Sequence, residues 1–296
     1  MKYRENILDD HAPPKCYPFL KWAGGKNQLL PKINKFIPQS YAQYFEPFLG
    51  GGAMFFYMIS NKNLRSAAYL IDINTELINT YKVIKSNVEE LIQILIKYQD
   101  EYNKSPLKSY YNLRDNFNYN ATNIEKAART ITLNKTCYNG LYRVNRNGRF
   151  NVPIGRYIKP VICDSENLRN VSIALRNSRT HLYISDYKVV LVDKTKENDF
   201  IYLDPPYNPV SATARFTGYT DSGFTDGDQR DLSQVFMKLN DRGCKILLSN
   251  SDTPYIRELY KDFSGYIHQV DALRSINSNS LKRTGHKELF ISNYSI

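Results

Sequence analysis

Nothing in this sequence comes near the run of ~18 apolar residues that a membrane-spanning helix requires. The N-terminus, with Asp9, Asp10 and two early prolines, resembles no secretory leader. Cysteine is scarce: Cys16, Cys137, Cys163 and Cys244 are scattered singly, with none of the close pairs that mark zinc or redox motifs. Their scatter predicts reduced thiols in a cytoplasmic protein and no metal site. No internal repeat or low-complexity segment is present. A phosphate-cradling P-loop is missing as well. The stretch "KWAGGKNQLL" contains Gly-Gly-Lys, but the motif needs Gly where Leu20 stands and Ser or Thr where Asn27 stands.

Acid is absent from two long stretches of a chain whose net charge is +11. From Lys126 to Cys163 there is none, while Lys126, Arg129, Lys135, Arg143, Arg146, Arg149, Arg156 and Lys159 supply eight cations. A second acid-free run, Ala272 to Lys287, holds Arg274, Lys282, Arg283 and Lys287. One such run reads equally well as a solvated face. Two of them, the first interleaved with Tyr138, Tyr142, Phe150 and Tyr157, favour a polyanion and nucleic acid above all.

What is there begins with a strand over 44–49, the glycines Gly50, Gly51 and Gly52, a helix over 53–59, and a second strand over 67–71 ending at Asp72. This βαβ opening places an acid 20 residues after the last glycine. Glycines let a ligand approach the backbone, and an acid at the next strand end can bond a ribose diol. A cofactor with adenosine and free ribose hydroxyls fits. Helical spacing follows through Leu91, Ile94, Leu95 and Tyr98. The stretch 103–163, rich in Asn, Tyr, Arg and Gly, loses the strand–helix alternation and reads as an insertion. Within it "NRNG" (145–148), flanked by 142–144 and 150–152, predicts a hairpin. Strands are expected again near 181–185, 199–203, 244–249, 265–271 and 288–294, the last two as an antiparallel edge pair. A helix capped by Thr225 should bury Leu232, Val235, Phe236 and Leu239.

"FIYLDPPYNP" (200–209) runs an apolar strand into an acid, two prolines and a tyrosine. A turn needs only one proline; two in succession remove two backbone donors and leave carbonyls to offer a ligand. The exocyclic amine of a nucleobase is a poor nucleophile, because its lone pair is delocalised into the ring. Acceptors at both its N–H bonds, the Asp204 carboxylate and the Pro205 carbonyl, favour the pyramidal form that develops at attack. Pro206 completes the rigid turn, and Tyr207 offers a face on which an extruded base can stack.

With these motifs in view, the sequence resembles the Dam-type DNA adenine N6-methyltransferases, including the modification methylases of Dpn-type restriction systems. The likeness runs from about Phe19 to Tyr294 through "FLKWAGGK", "EPFLGGGAMFF", "DIN", "YNGLYRVN", "FNVPIGRY", "DPPYNPVSATARFTGY" and "LSNSD", in the family's order. It implies an α/β, Rossmann-like S-adenosylmethionine-dependent sheet with an inserted helical and β-hairpin target-recognition domain. Residues 1–74 and 164–296 would form the catalytic domain and 75–163 the target-recognition domain. Trp22, Lys26, Phe48, Gly50, Gly52, Asp72 and Asp204 would bind S-adenosylmethionine. Tyr138 would insert beside or stack on bases near the flipped adenine. Asn139, Leu141, Arg143 and Pro153 would face base edges, and Lys21 would reach the outer guanine. Arg114, Asn145, Asn151 and Arg156 would contact phosphates. The family's usual target is GATC in duplex DNA, which implies a monomeric, DNA-associated, prokaryotic or phage-encoded enzyme that can pair with a restriction endonuclease.

The residues alone leave alternatives open. Cytosine-N4 or RNA amine methylation shares the chemistry, and a non-catalytic DNA-binding relative would share the fold. The bulk of Tyr142 within "GLYRV" leaves the fit at the central bases open, and residues 1–18 match nothing assignable.

Overall fold

The computed structural model describes residues 15–22, 26, 29–61, 63, 64, 66–118, 120–209, 224–272 and 286–296. Ala23 to Gly25 and Asn27 of the first motif, the stretch from Val210 to Tyr219 after "DPPYNP", most of the N-terminal extension, and Arg274, Lys282 and Arg283 lie outside the described residues.

Seven strands form one sheet: β1 (Tyr44–Glu46), β2 (Ala68–Asp72), β3 (His181–Ile184), β4 (Phe200–Leu203), β5 (Lys245–Ser251), β6 (Ile267–Ala272) and β7 (His286–Ser292). Their order is β3-β2-β1-β4-β5-β7-β6. The first five are parallel, and β7 runs antiparallel between β5 and the edge strand β6. All seven sit where the sequence places them, with ends shifted by up to three residues. Among the described residues the helices are α1 (Leu30–Ile33), α2 (Ala53–Ser60), α3 (Thr75–Ser86), α4 (Val88–Lys104), α5 (Pro106–Asp115), α6 (Asn123–Thr136), α7 (Ser165–Asn177), α8 (Tyr187–Lys194), α9 (Asp226–Asp241) and α10 (Pro254–Leu259).

The alternation of side chains along each strand builds two cores. Tyr44, Leu70, Phe200, Tyr202, Leu247 and Phe290 face α2 to α7. Phe45, Ile71, Ile201, Leu203, Ile246, Leu248, Leu289 and Ile291 face α8, α9 and α10. Each fully buried apolar side chain of this size contributes roughly 1.5–3 kcal/mol, so both faces of the parallel strands are strongly specified. Thr225 caps α9 as expected, in a reciprocal box with Asp228, and Leu232, Val235, Phe236 and Leu239 are buried.

The insertion lies between β2 and β3 and is mostly helical. The hairpin at 145–148 forms and is short: its flanks meet at the antiparallel bridge Val144↔Phe150, Asn145 N–H donates to the Arg149 carbonyl at 2.8 Å and Asn151 N–H to the Arg143 carbonyl at 3.0 Å, and a second bridge lies at Cys137↔Ile154. Asn145 Oδ1 accepts from the N–H groups of Asn147 and Arg149, both at 3.0 Å, closing the turn with its side chain. Upstream, Asn139 (φ 54°) and Gly140 (φ 65°) are both left-handed.

Candidate active site and recognition surface

The strand order reverses between β1 and β4, so the loops leaving their carboxyl ends lie side by side, where open α/β sheets hold ligands. Register does the positioning: Phe45 pairs with Ile201 and Leu203 with Leu248. The glycine loop after β1, Asp204 after β4 and Ser249 within β5 are thereby brought to one edge.

The glycine loop is held from the neighbouring strand. Gly50 N–H donates to Asp72 Oδ2 at 3.0 Å, and Asn74 N–H donates to Asp72 Oδ1 at 2.9 Å. Burial pushes the Asp72 carboxyl above the usual carboxylate range, against the pull of these donors. Gly50 is left-handed at φ 48°, and a Cβ there would come within 2.7 Å of the Trp22 ring. Gly52, at φ 67°, is the N-cap of α2, and its Cβ would meet the Tyr81 hydroxyl at 2.6 Å. Phe48 packs on Tyr187 at 4.9 Å between ring centroids and on Phe224 at 5.9 Å. Trp22 stacks on Tyr142, with centroids 5.6 Å apart and planes at 26°. It therefore touches both the glycine loop and the inserted segment.

Asp204 follows β4 directly. Ser249 Oγ–H donates to its Oδ1 at 2.7 Å, and the buried Lys26 ammonium lies 3.2 Å from the same oxygen. Lys26 also lies 3.9 Å from Glu288 Oε2 and 4.1 Å from the centroid of the Tyr207 ring. The Tyr207 hydroxyl donates to Glu288 Oε2 at 2.8 Å. Amides lock the outgoing turn: Gln229 Nε2 donates to the Pro206 carbonyl at 2.9 Å, Asn250 Nδ2 to Gln229 Oε1 at 3.0 Å, and Asn208 N–H to Asn250 Oδ1 at 3.1 Å. One ammonium between two carboxylates leaves this cluster with a net negative charge.

Sequence reasoning missed Glu288, Ser249, Gln229 and Asn134. Glu288 carried a signal, as the lone acid in the apolar run "KELFIS". Its partners lie some eighty residues and more upstream, so only the sheet register reveals them. Beneath the site Glu46 is buried, accepts from the Tyr44 hydroxyl at 2.7 Å, and is pushed up to about 8 by that burial.

The predicted DNA-contacting residues gather on one surface around 138–156. Cys137 and Ile154 bridge, Tyr138 N–H donates to the Pro153 carbonyl at 2.8 Å, and Gly155 N–H donates to the Thr136 carbonyl at 2.8 Å. Tyr138 (50% exposed), Asn139, Arg143, Asn145, Pro153 and Arg156 are exposed, while Leu141 and Asn151 are half-buried. Arg143 Nε donates to Asn151 Oδ1 at 2.7 Å, so two of the predicted contacts also hold each other. Lys21 lies with its ammonium 3.7 Å from the Tyr157 ring centroid. Arg114 forks onto Asp115 at 2.7 and 3.0 Å and donates to the Val152 carbonyl at 3.3 Å. Arg129 is a correction to the basic face. It is only 1% exposed, donates to the Leu113 carbonyl at 2.8 Å and pairs with Glu76 at 3.5 Å, so it braces α6 inside the core.

Comparison with known proteins bears on both surfaces at once. Residues 22–276 match the model of the D12 class N6 adenine-specific DNA methyltransferases. The chain is 42% identical over 291 residues to the type II methyltransferase M.MjaIII of Methanocaldococcus jannaschii, covering 94% of this chain and 99% of that one. It is 41% identical over 281 residues to the type II methyltransferase M1.LlaDCHI of Lactococcus lactis subsp. cremoris, covering 94% and 95%. To the DNA adenine methylase of Escherichia coli K12 it is 35% identical over 273 residues, covering 92% and 93%. A match across nearly the whole of each chain takes in the glycine loop, the Asp204 turn and the surface between them, and the chain belongs to the D12 class of adenine-specific DNA N6-methyltransferases.

Proposed function

We propose that this methyltransferase uses S-adenosylmethionine to methylate adenine N6 in duplex DNA, within GATC, after flipping the target base into the pocket of Asp204, Pro205, Pro206 and Tyr207. The observation that carries the reading is the juxtaposition at the β1–β4 switch point, with the Gly50 loop pinned to Asp72 on one side and Asp204 on the other. When bound, S-adenosylmethionine supplies a methyl group on a cationic sulfonium. The residues present fit such a group. Asp72 retains lone pairs for a ribose hydroxyl, and the glycines keep side chains out of the loop. Trp22, beside the Gly50 loop, Phe48 and Lys26 would complete the cofactor site.

For the base, Ser249 and Lys26 both engage Asp204 Oδ1, and Oδ2 serves the target amine. With the Pro205 carbonyl at the second N–H, the two acceptors stabilise positive charge developing on the nitrogen. Tyr207 stacks on the ring. The exposed edge of 138–156 supplies recognition: Tyr138, Asn139, Leu141, Arg143 and Pro153 toward the bases with Lys21, and Asn145, Asn151, Arg156 and Arg114 toward phosphates. Residues 75–163 then act as the target-recognition domain, although their helices share a core with the sheet. The GATC target rests on the likeness of "YNGLYRVN" and "FNVPIGRY" to Dam-type sequences. The type II relatives support pairing with a restriction endonuclease, and the reading is completed by a monomeric enzyme in the cytoplasm. Among the described residues no helix is long and apolar enough to cross a membrane.

The test is methylation of a genome lacking the mark, read base by base, beside labelled S-adenosylmethionine with duplexes carrying only adenine or only cytosine targets. Label on cytosine, or N6-methyladenine spread without GATC, would overturn it.

A further inference from the structure

Among the described side chains of β7, Glu288 is the one that reaches the pocket. It sits in β7, where Ser251 of β5 and Val270 of β6 are its register partners, and its neighbours Leu289, Phe290 and Ile291 are fully buried. An acid at such a position forfeits hydration unless it finds partners. Glu288 finds two, both in the pocket and both at the same oxygen: the Tyr207 hydroxyl at 2.8 Å and the Lys26 ammonium at 3.9 Å. Neither contact adds packing to the core. One orients the ring that ends the Asp204–Tyr207 turn; the other draws on the cation that lies 3.2 Å from Asp204.

We propose that Glu288 is a positioning residue for methyl transfer, fixing the Tyr207 ring through its hydroxyl and sharing the Lys26 ammonium so that Asp204 remains available to the target amine. The physical reason is competition. A buried lysine with a single carboxylate partner would commit fully to it, and an acceptor committed to an ammonium is a weaker acceptor for an incoming N–H. A second carboxylate 3.9 Å from Lys26 divides the attraction while offsetting part of the cost of burying the ammonium. Tyr207 needs an anchor for a separate reason, since an unrestrained ring stacks on the base less often in the reactive orientation.

Two substitutions separate these roles. Glu288→Gln keeps an acceptor for the Tyr207 hydroxyl and removes the charge; Glu288→Ala removes both. Full-length variants are compared for kcat, for KM toward S-adenosylmethionine, for DNA affinity, for melting temperature, and for the fluorescence of 2-aminopurine at the target adenine, which brightens when the base leaves the stack. Glu288→Gln should retain the fluorescence change and lose about tenfold in kcat, as a charged partner gives way to a neutral one. Glu288→Ala should lose about 10²-fold in kcat with a diminished fluorescence change, as expected for a misplaced pocket group. KM for S-adenosylmethionine and DNA affinity should stay within about twofold, well under one tenfold step. Tyr207→Phe should reproduce the fluorescence loss of Glu288→Ala and add little to it in the double variant.

The inference rests on the reading of the Asp204 turn as the base pocket, and Asp204→Asn tests that reading separately. Activity in Asp204→Asn would remove the pocket itself. An inactive Asp204→Asn together with wild-type kcat in the near-isosteric Glu288→Gln and wild-type fluorescence in Tyr207→Phe would overturn the role of Glu288 alone.

Discussion

The pocket and the recognition surface are built by opposite means. At the strand ends the pocket's charges are buried or half-buried and engaged: Lys26 with Asp204 and Glu288, Asp72 with the Gly50 and Asn74 amides. On the surface around 138–156 Tyr138, Asn139, Arg143, Asn145, Pro153 and Arg156 are exposed, and Arg143 is lightly held by Asn151. Low dielectric makes each polar contact in the pocket strong and its loss expensive; solvent makes those on the surface exchangeable, which a face that must trade its own bonds for those of DNA requires. Chemistry is preorganised in one region, and adaptability is kept in the other.

The largest expected effect lies in the pocket. Asp204→Asn should reduce kcat by about 10³-fold or more through lost charge stabilisation, while DNA binding, carried by the other region, persists. Gel-shift titration beside single-turnover methylation checks both, and weakened DNA binding would blur the contrast. Asp72→Ala should weaken S-adenosylmethionine binding by roughly 1.5–3 kcal/mol, and the Gly50 loop should loosen with it. Calorimetry showing unchanged cofactor affinity would assign ribose binding elsewhere.

On the surface the losses should differ in kind. Arg143→Ala should cost about 1–3 kcal/mol on GATC and relax discrimination at the guanines, because its fork can donate to guanine O6 and N7 together. Equal losses on all duplexes would leave Arg143 as an anchor of Asn151 and nothing more. Arg156→Ala should weaken cognate and altered duplexes alike and make the log–log salt dependence shallower by about one unit. A charge-preserving slope in that variant would take Arg156 off the phosphates. Arg129, buried in α6, should contribute nothing to that slope.

The smallest effect on turnover is expected beneath the pocket and is read in stability. Glu46 has an ordinary value of 4.5 and is pushed up to about 8 in the folded chain. Between those values the folded state holds a proton that the unfolded state has released, so stability falls as pH rises through that window. Glu46→Gln should flatten the decline in melting temperature from pH 5 toward alkaline pH; an unchanged slope would assign the decline to other groups.

What the sequence shows of this molecule follows from how local each signal is. The seven strands and the capped α9 announce themselves by alternation and by Thr225, and the Asp204 turn by four adjacent residues. The buried Arg129 does not, because its partners Glu76 and Leu113 lie on other helices and its side chain reads as one more cation in a basic run. The turn residues "NRNG" announce a short hairpin, which the bridge Val144↔Phe150 and the Asn145 side chain close locally. Glu288, like Arg129, acquires meaning only when β7 is laid between β5 and β6.

Asn134 joins the two regions. Its side chain accepts from Lys21 N–H at 2.8 Å and donates to the carbonyls of Lys21 at 2.7 Å and Gly140 at 3.1 Å, stitching the segment beside the glycine loop to the turn that carries Tyr138 and Asn139. Trp22, stacked on Tyr142, makes the same connection one residue later. The portion exchangeable among relatives is therefore discontinuous. A chimera that imports 134–157 from a homologue of different target preference inherits a foreign seat unless residues 21 and 22 travel with it, and specificity grafts on this scaffold should be cut as two pieces rather than one.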